Sequence, residues 1–509
     1  MTTSKPTVIT DPAIRDLRVT AVNQAPVATR GAYVLYWMIA ARRSHHSFAL
    51  DHAIARSIEL GRPLIVLEPL RVGYPWASDR MHAFVLQGMA DNAAAFAAAG
   101  VTYHPYVEPA LGHGAGLLEA LGREACLVIT DEQPGFFLPW MVAAAGRKLA
   151  VRLEQVDGNG ILPLRGSARA WPSAAVFRRH LQKTIGPHLM ARPNPRPLTR
   201  LGKQVRGGKL PAAISARWPA ASMALLAAEP AELARLPIDH AVRPVPALPG
   251  GANAAEALLD AFVAERLTHY GDGHNHPDDD AASGLSPYLH FGQIAAHDVA
   301  ERVWAAADWD PSRVAHAKVT GSREGWWGLP PGSESFLDEL ITWRELGYGF
   351  CFHRADYDQW SSLPEWAQAT LTEHASDPRP IRYTPNQLEA AETDDPVWNA
   401  AQRQLVSEGR IHNYLRMLWG KKILEWSPSP KRALATLIEL NNKYAIDGRD
   451  PNSYSGIFWT LGRFDRPWAP NRPIFGCIRY MSSASTLKKL RLKQYLARWS
   501  PPPAQGRLL

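Results

Sequence analysis

The segment from residue 63 to residue 130 decides the fold of the first part of the chain. It opens with Pro63-Leu-Ile-Val-Leu-Glu, a short apolar run typical of a buried strand, and closes with a second such run, Cys126-Leu-Val-Ile-Thr. Between them, His82 to Ala99 has the apolar spacing of a helix, and Gly100 is suited to end it. A strand, a helix and a strand in this order predict a parallel sheet.

Strand and helix patterns alternate through the rest of this N-terminal part. Val34-Leu-Tyr-Trp-Met is a further buried strand. No glycine-rich phosphate fingerprint follows a strand, so a standard dinucleotide site is not indicated. We predict a doubly wound, Rossmann-like parallel-sheet domain over residues 30–163. Residues 164–251 are rich in proline, alanine and arginine, and we interpret them as an interdomain connector.

The third part of the chain, residues 252–499, carries helical patterns almost throughout. Apolar residues recur at positions i, i+3 and i+4 in Ala254–Tyr270, Gln293–Ala306, Ser335–Phe350, Val397–Gly409, His412–Trp426 and Lys431–Tyr444. The predicted fold class is therefore an α/β domain followed by an all-α domain, which suits a chain of 509 residues.

Composition narrows the class of protein. The net charge of +8 is a weak indication of nucleic acid binding, and 18 tryptophans suit an aromatic core, base stacking or electron transfer. Cys126, Cys351 and Cys477 form no CxxC pair, which argues against a metal site and favours a reducing, cytoplasmic location. The polar N-terminus shows no secretory signal, and no apolar run is long enough to span a membrane, so we expect no membrane association.

Two local patterns in the helical part suit a nucleotide ligand. Ser283-Gly-Leu-Ser-Pro-Tyr-Leu-His-Phe-Gly-Gln is a small-residue turn that opens a helix, which suits a phosphate but also describes an ordinary capped helix start. Glu339 and Trp343 are four residues apart and share a helix face. The pair suits a site in which the acid binds the edge of a base and the indole stacks on its ring. It equally describes an acid that only lies beside a tryptophan of the core.

A second pair of patterns suits electron transfer and charge pairing. Trp419 and Trp426 are seven apart, roughly 10.5 Å along a helix axis, and Trp398 lies on the preceding predicted helix. The three indoles form either an electron-hopping path or part of the core. In the polar loop after the predicted helix Lys431–Tyr444, Asp447 or Asp450 could pair with Arg416 or Arg449, although an ordinary turn also explains this loop.

Taken together, these stretches resemble the photolyase/cryptochrome family. Leu285-Ser-Pro-Tyr-Leu-His-Phe-Gly-Gln-Ile resembles its flavin-binding stretch. The class II cyclobutane pyrimidine dimer photolyases are indicated by Trp398-Asn-Ala-Ala-Gln, Arg416-Met-Leu-Trp-Gly-Lys-Lys-Ile-Leu-Glu-Trp, Asp447-Gly-Arg-Asp-Pro-Asn and Phe475-Gly-Cys-Ile-Arg-Tyr-Met. The resemblance is dense from Ala254 to Tyr495 and thinner from Tyr33 to Gly160.

The resemblance implies that the helical domain binds FAD, with FADH⁻ as the active form. Asn441 would lie near flavin N5, and Arg416 and Asp447 would form an ion pair beside the ring. Gly448 would contact the polar edge of the ring together with Asp447. The remaining implied FAD contacts are Tyr270, Asn275, Ser283, Gly284, Leu285, Ser286 and Glu339. The α/β domain would serve as an antenna domain, with a deazaflavin as the family's usual chromophore.

The implied function is light-driven repair of cyclobutane pyrimidine dimers in UV-damaged DNA. An electron would pass from photoexcited FADH⁻ to a dimer flipped out of the duplex. Glu339 would hydrogen-bond the dimer, Trp343 and Trp459 would stack on it, and Met417 would lie between dimer and flavin. Contacts to the lesion strand would come from Asp465, Arg466 and Arg479. Trp419, Trp398 and either Trp426 or a tyrosine would carry electrons for photoreduction.

Two other functions remain open at this point. One is a cryptochrome-like photoreceptor without repair activity, and the other is a light-independent flavin or nucleic acid binding protein. The chain departs from the family pattern at His274, Gly349, Asn413 and in the stretch 459–472. We expect a monomer without a metal ion.

Overall fold

The computed structural model describes residues 12–316 and 318–501. Within these residues, six strands form one sheet in the order β1-β6-β5-β2-β3-β4. Their bounds are β1 Val19–Ala21, β2 Tyr33–Trp37, β3 Leu64–Leu70, β4 Thr102–Val107, β5 Ala125–Glu132 and β6 Leu153–Asp157. All neighbours pair parallel except β1 and β6, which pair antiparallel. The predicted α/β class is confirmed.

Helices cover both faces of this sheet, as a doubly wound fold requires. They are α1 Pro12–Arg18, α2 Phe48–Leu60, α3 Asp79–Ala98, α4 Leu117–Gly122 and α5 Leu138–Lys148. Ser47 begins α2 by accepting a hydrogen bond from the Leu50 amide. Helix α3 begins three residues before the predicted His82 and ends at Ala98. We predict no secretory signal at the N-terminus, and residues 1–11 of that segment lie outside the described residues.

The stretch between the sheet and the helical part contains short helices. They are α6 Ala174–Thr184, α7 Gly186–Met190, α8 Ala212–Arg217, α9 Met223–Leu226 and α10 Pro230–Leu233. Phe177 and Leu181 of α6 are buried in the core of the helical part. Arg178, also on α6, donates two hydrogen bonds of 2.7 Å to Asp338. Helix α6 therefore packs as part of the helical domain.

The C-terminal half is all helical, and its core is the largest apolar cluster of the described residues. Its helices are α11 Ala252–Ala261, α12 Tyr270–Gly273, α13 Ser286–His290, α14 Ala296–Ala306, α15 Pro331–Leu337, α16 Arg344–His353, α17 Glu365–Glu373, α18 Pro385–Glu389, α19 Pro396–Glu408, α20 Asn413–Trp426, α21 Pro430–Tyr444, α22 Pro451–Thr460, α23 Ser483–Lys489 and α24 Lys493–Arg498. Wider, π-helical turns follow α11 at Phe262–Arg266 and α15 at Asp338–Trp343. The predicted helix Ser335–Phe350 is therefore three consecutive pieces.

Helices α19 to α22 pack together and form the framework of the candidate site. Asp395 caps α19 by accepting from the amides of Val397 and Trp398, and Asp450 caps α22 by accepting from the amide of Asn452. In the ranges 12–316 and 318–501, we find no helix whose length and apolar character would suit a membrane crossing.

Candidate active site

A surface cleft of about 470 Å³ lies where α20, α22 and α23 meet the segment 468–481. Four residues predicted from the sequence line it: Asn275, Met417, Trp459 and Arg479. Sequence reasoning gave no role to the other eleven lining residues, of which five are aromatic or basic: Tyr414, Trp468, Arg472, Tyr480 and Lys489. Rings and cations together suit a ligand with flat bases and phosphates.

Trp459 forms a half-buried wall of this cleft with cations on two sides. The Nζ of Lys421 lies 5.0 Å from the centre of its ring, and the guanidinium carbon of Arg479 lies 5.5 Å from it. Both are cation–π distances, at which a cation favours the face of an indole. They hold the indole in position for stacking.

Arg479 is held in the cleft by a carboxylate and a second indole. Its Nε lies 3.0 Å from Asp465 Oδ2, and its guanidinium carbon lies 4.1 Å from the ring centre of Trp468. Trp468 donates from Nε1 to Asp465 Oδ1 at 3.0 Å. Arg466 is exposed and also lies over Trp468, at 4.6 Å. Asp465 therefore faces Arg479 and Trp468 and orients both.

Lys421 is fully buried, and sequence reasoning missed it. Its ammonium donates to the Thr460 carbonyl oxygen at 2.6 Å. Burial lowers the pKa of Lys421 to about 7, against an opposing effect of Asp465. The close approach of α20 to α22 explains the placement, because a Cβ at Gly420 would lie 2.5 Å from Thr460 Cγ2. The sequence signal for a buried lysine was its place in α20, close to the apolar residues Trp419 and Ile423.

A second group of polar residues lies on the inner side of α20. Arg416 Nη2 lies 3.3 Å from Asp447 Oδ1, and Arg416 Nη1 lies 3.5 Å from Ser453 Oγ. The buried Asn441 donates to the same Ser453 Oγ at 2.9 Å. Ser453, which sequence reasoning missed, therefore links the predicted ion pair to the predicted amide. Gly448 follows Asp447 in a backbone turn too tight for any Cβ.

The predicted phosphate turn precedes the five-residue helix α13. Gly284 has a φ of +74°, and Ser283 Oγ accepts from the Leu285 amide at 3.4 Å. Leu285 is buried, whereas Ser286 is exposed at the helix start. The turn thus presents hydroxyls and a free helix start to a ligand.

Glu339 and Trp343 lie on the π-helical turn after α15, and neither lines the cleft among the residues that the structure describes. Burial, followed by the repulsion from Asp338, raises the pKa of Glu339 to about 7. Glu339 and Asp338 in turn raise the pKa of the buried Tyr270, after the larger effect of burial. His274 stacks on Tyr270 with ring centres 4.7 Å apart. Near neutral pH, Glu339 is able to act as donor or acceptor.

The predicted tryptophans are connected from the interior to the surface. Trp419 donates to Gln402 Oε1 at 2.8 Å, and Trp398 donates to the Trp419 carbonyl oxygen at 3.1 Å. Trp398 and Trp426 have ring centres 5.4 Å apart. Trp426 then meets the half-buried Tyr383 at 5.0 Å. Sequence reasoning left open whether Trp426 or a tyrosine ends the path, and Tyr383 is the tyrosine that contacts Trp426.

These residues fit the flavin that the resemblance implies. The inner side of α20 offers a guanidinium, a carboxylate and a buried amide on three adjacent elements, the donor and acceptor set that a flavin's polar edge requires. Trp419 lies three residues after Arg416 on α20, which places it on the same side of the helix.

The α/β domain has a cavity of its own, of about 330 Å³. It opens at the carboxyl ends of β2, β3 and β4, where Trp37, Leu67 and Tyr106 lie, and the glycine-rich loop 112–116 closes one side. Helix α5 closes another side through Met141 and Ala145. Cavities at the carboxyl ends of parallel strands commonly bind ligands.

Comparisons with known proteins bear on both regions. No family model matches the chain. A protein of Methanothermobacter thermautotrophicus named deoxyribodipyrimidine photo-lyase is 33% identical over 497 residues, covering 94% of this chain and 97% of the relative. A protein of the same name from Oryza sativa subsp. japonica is 34% identical over 92% of this chain and 87% of its own length.

Two solved structures share the fold. A class III photolyase from Agrobacterium tumefaciens superposes with a TM-score of 0.66 at 17% identity, covering 92% of this chain and 86% of the other. A cryptochrome from Synechocystis sp. PCC6803 superposes with a TM-score of 0.65 at 15% identity, with 92% and 88% covered. At these identities the structures establish the two-domain architecture.

Proposed function

The chain belongs to the photolyase/cryptochrome family, and we propose that it is a light-dependent lyase of the class II type that splits cyclobutane pyrimidine dimers in DNA. The observation that carries this proposal is the cleft beside α20. There Met417, Trp459 and Arg479 line one side of the helix, while Arg416, Asp447 and Asn441 are linked on the other.

We propose that FAD is bound on the inner side of α20, where it supplies the light-driven electron that splits the dimer. Arg416 and Asp447 would fix the orientation of the flavin ring through their paired charges. Asn441, held by Ser453, would present its amide to the ring. Tyr270 and the turn Ser283–Ser286 would bind the phosphates, and Asn275, which lines the cleft, would be a further contact to FAD.

The cleft residues would recognise the flipped dimer. Trp459 offers an indole face already fixed by Lys421 and Arg479, and Met417, which also lines the cleft, would lie between the dimer and the flavin. Arg479 and the exposed Arg466 would bind backbone phosphates, which predicts affinity that falls with salt. Glu339 does not line the cleft, and its contact with the dimer is implied by the resemblance. With its pKa raised to about 7, it would donate to a thymine carbonyl when protonated or accept from N3–H when ionised. Either contact would strengthen as the dimer gains charge.

The experiment for repair uses the full chain with reduced flavin and UV-irradiated oligothymidylate. Under blue light we expect recovery of the thymine absorbance band, and a lower yield per photon in Glu339→Ala with unchanged flavin content. Glu339→Gln is the matched control, because its amide keeps a donor at the same place. A wild-type protein that recovers no absorbance would instead favour the photoreceptor function.

We further propose that Trp419, Trp398, Trp426 and Tyr383 relay electrons between the interior and the surface. Their successive contacts support this order. Trp419→Phe should strongly slow light-driven reduction of the bound flavin and leave repair by chemically pre-reduced protein intact. Trp360→Phe, which alters an indole outside the relay, should behave as wild type. An unchanged rate in Trp419→Phe would exclude this path.

The cavity in the α/β domain is our candidate site for an antenna chromophore such as a deazaflavin. Its aromatic and aliphatic lining around Trp37 and Tyr106 suits a planar ring. Ala145→Trp would fill it. We expect this variant to lose the extra absorbance of a reconstituted deazaflavin while retaining FAD.

A further inference from the structure

A histidine and two carboxylates, none of which the proposed repair uses, meet where the two domains touch. His45 lies in the loop between β2 and α2, Glu256 on α11 and Asp298 on α14. One side-chain N or O atom from each residue lies within 4.8 Å of those of the other two. His45 Nε2 lies 3.2 Å from Glu256 Oε1.

Two imidazole nitrogens at this place are buried and lack a hydrogen bond. They are His45 Nε2 and His46 Nδ1, and neither has a hydrogen-bond partner among the described residues. His45 Nε2 is close to Glu256 and His46 Nδ1 lies 3.4 Å from Asp298 Oδ1, but neither pair has hydrogen-bond geometry. Leaving a buried polar atom unbonded costs free energy. A ligand between these groups would supply the missing interaction.

The charge of the cluster suits a cation. Glu256 and Asp298 bring two carboxylates to one imidazole nitrogen, and such a set of atoms can coordinate a cation. Arg302 compensates only in part, because it pairs with Asp260 and its Nε is 3.9 Å from Asp298 Oδ1.

We propose that His45, Glu256 and Asp298 bind a divalent transition-metal ion, with Zn²⁺ as its best representative. Nitrogen and carboxylate oxygen are ligands that Zn²⁺ accepts at about 2.0–2.2 Å, so tetrahedral neighbours lie about 3.4 Å apart. The 3.2 Å between His45 and Glu256 is close to that edge. Water would complete the shell, and His46 would orient Asp298 from outside it.

The ion would connect the sheet domain to the helical domain. His45 follows β2, whereas Glu256 and Asp298 belong to two helices of the other domain, so one ion would fix three elements at once. Its role would be structural, since the proposed repair needs no metal. Sequence patterns do not indicate this site, because the ligands are far apart along the chain and none is a cysteine.

The test is equilibrium dialysis of the full chain, first stripped with a chelator, against micromolar free Zn²⁺, followed by metal analysis. We expect one ion per chain in the wild type and at least about tenfold weaker binding in His45→Ala and Glu256→Gln. Glu256 is 42% exposed, so its variant should keep the fold, which circular dichroism checks. His52→Ala is the matched control, since the His52 side chain is about as covered as that of His45 and lies 2.7 Å from Glu154; this variant should leave binding unchanged.

A second readout is thermal stability. Zn²⁺ should raise the unfolding temperature of the wild type and of His52→Ala, and it should leave that of His45→Ala unchanged, because only a ligand of the folded state stabilises it. A wild type that binds no Zn²⁺ would overturn the proposal. So would equal binding by the wild type, His45→Ala and Glu256→Gln, because it would place the ion elsewhere.

Discussion

Two arginine–aspartate pairs border the helices of the candidate site, and they differ in which partner is covered. In the inner pair, Arg416 and Asp447 are both covered, with 17% and 13% of their side chains exposed. In the outer pair, Asp465 is 9% exposed but Arg479 is 39% exposed. The inner pair is a closed unit, whereas the outer pair presents its cation to the cleft.

The difference shows how one pair of residue types serves two tasks. The inner guanidinium is shared between Asp447 and Ser453, two fixed groups of the protein. The outer carboxylate accepts from Trp468 on one oxygen, and its other oxygen lies 3.0 Å from Arg479 Nε, so it aligns a cation that lines the cleft. We infer that the inner pair helps to form the cofactor site, whereas the outer pair binds the DNA.

The largest effect should come from breaking the inner pair. Arg416→Ala leaves the carboxylate of Asp447 covered and unpaired, which should lower the free energy of unfolding by about 3 kcal/mol and abolish flavin retention. Denaturant unfolding and the ratio of flavin to protein absorbance measure the two effects. Arg416→Lys keeps a positive charge and should recover part of each. Full flavin retention by Arg416→Ala would remove this pair from the cofactor site.

The next largest effect concerns Lys421, which lies between the pairs on α20. Its folded pKa of about 7 is below the unfolded value, so above pH 7 the folded state binds fewer protons than the unfolded state. The free energy of unfolding should therefore rise with pH, by about 2 kcal/mol between pH 7.5 and 9. Lys421→Met should lack this rise. Parallel pH profiles for the two proteins would mean that Lys421 titrates normally.

Much of the fold could be predicted from the sequence because buried strands and amphipathic helices leave local patterns. The strands β2, β3 and β5 are central and read as apolar runs. The edge strand β4 was missed because Pro105 interrupts its pattern, which an edge position tolerates. β1 was missed because it is only three residues long. The π-helical turn at Asp338–Trp343 has no sequence signal, since it depends on packing.

The candidate site was predicted where its residues lie in continuous stretches, and missed where tertiary packing assembles it. Arg416 and Asp447 do form the expected ion pair. Ser453, Trp468 and Tyr383 acquire their places only through contacts between distant segments. The roles given to Glu339 and Trp343 remain predictions, because they lie outside the lining of the cleft.

Removing the cation of the outer pair should weaken the binding of damaged DNA and leave the flavin site intact. Arg479→Ala should weaken binding to dimer-containing DNA by about 1.5 kcal/mol, roughly tenfold, because a charged hydrogen bond is lost. Flavin content should stay near wild type, in contrast to Arg416→Ala. Fluorescence anisotropy at several salt concentrations measures the loss and the expected smaller salt dependence. Equal affinities at matched salt would place Arg479 outside the interface.

The smallest effect should come from Asp465→Asn, which separates alignment from charge in the outer pair. The amide oxygen can still accept from Trp468, while the attraction that aligns Arg479 is lost. Removing an anion near the cleft also strengthens the binding of any nucleic acid. For damaged DNA, this gain opposes the loss that comes from the misaligned Arg479. We expect its affinity to change by no more than about 0.5 kcal/mol, the size of a partly exposed ion pair.

Undamaged DNA distinguishes these two consequences. Its affinity gains from the more positive net charge of the cleft and does not depend on how Arg479 is aligned. Its affinity for Asp465→Asn should rise slightly, so the ratio of damaged to undamaged binding should fall. Anisotropy titrations with matched duplexes, one carrying a single dimer, give this ratio directly. A ratio equal to that of the wild type would mean that Asp465 contributes charge alone, and that the outer pair does not align Arg479 for the lesion.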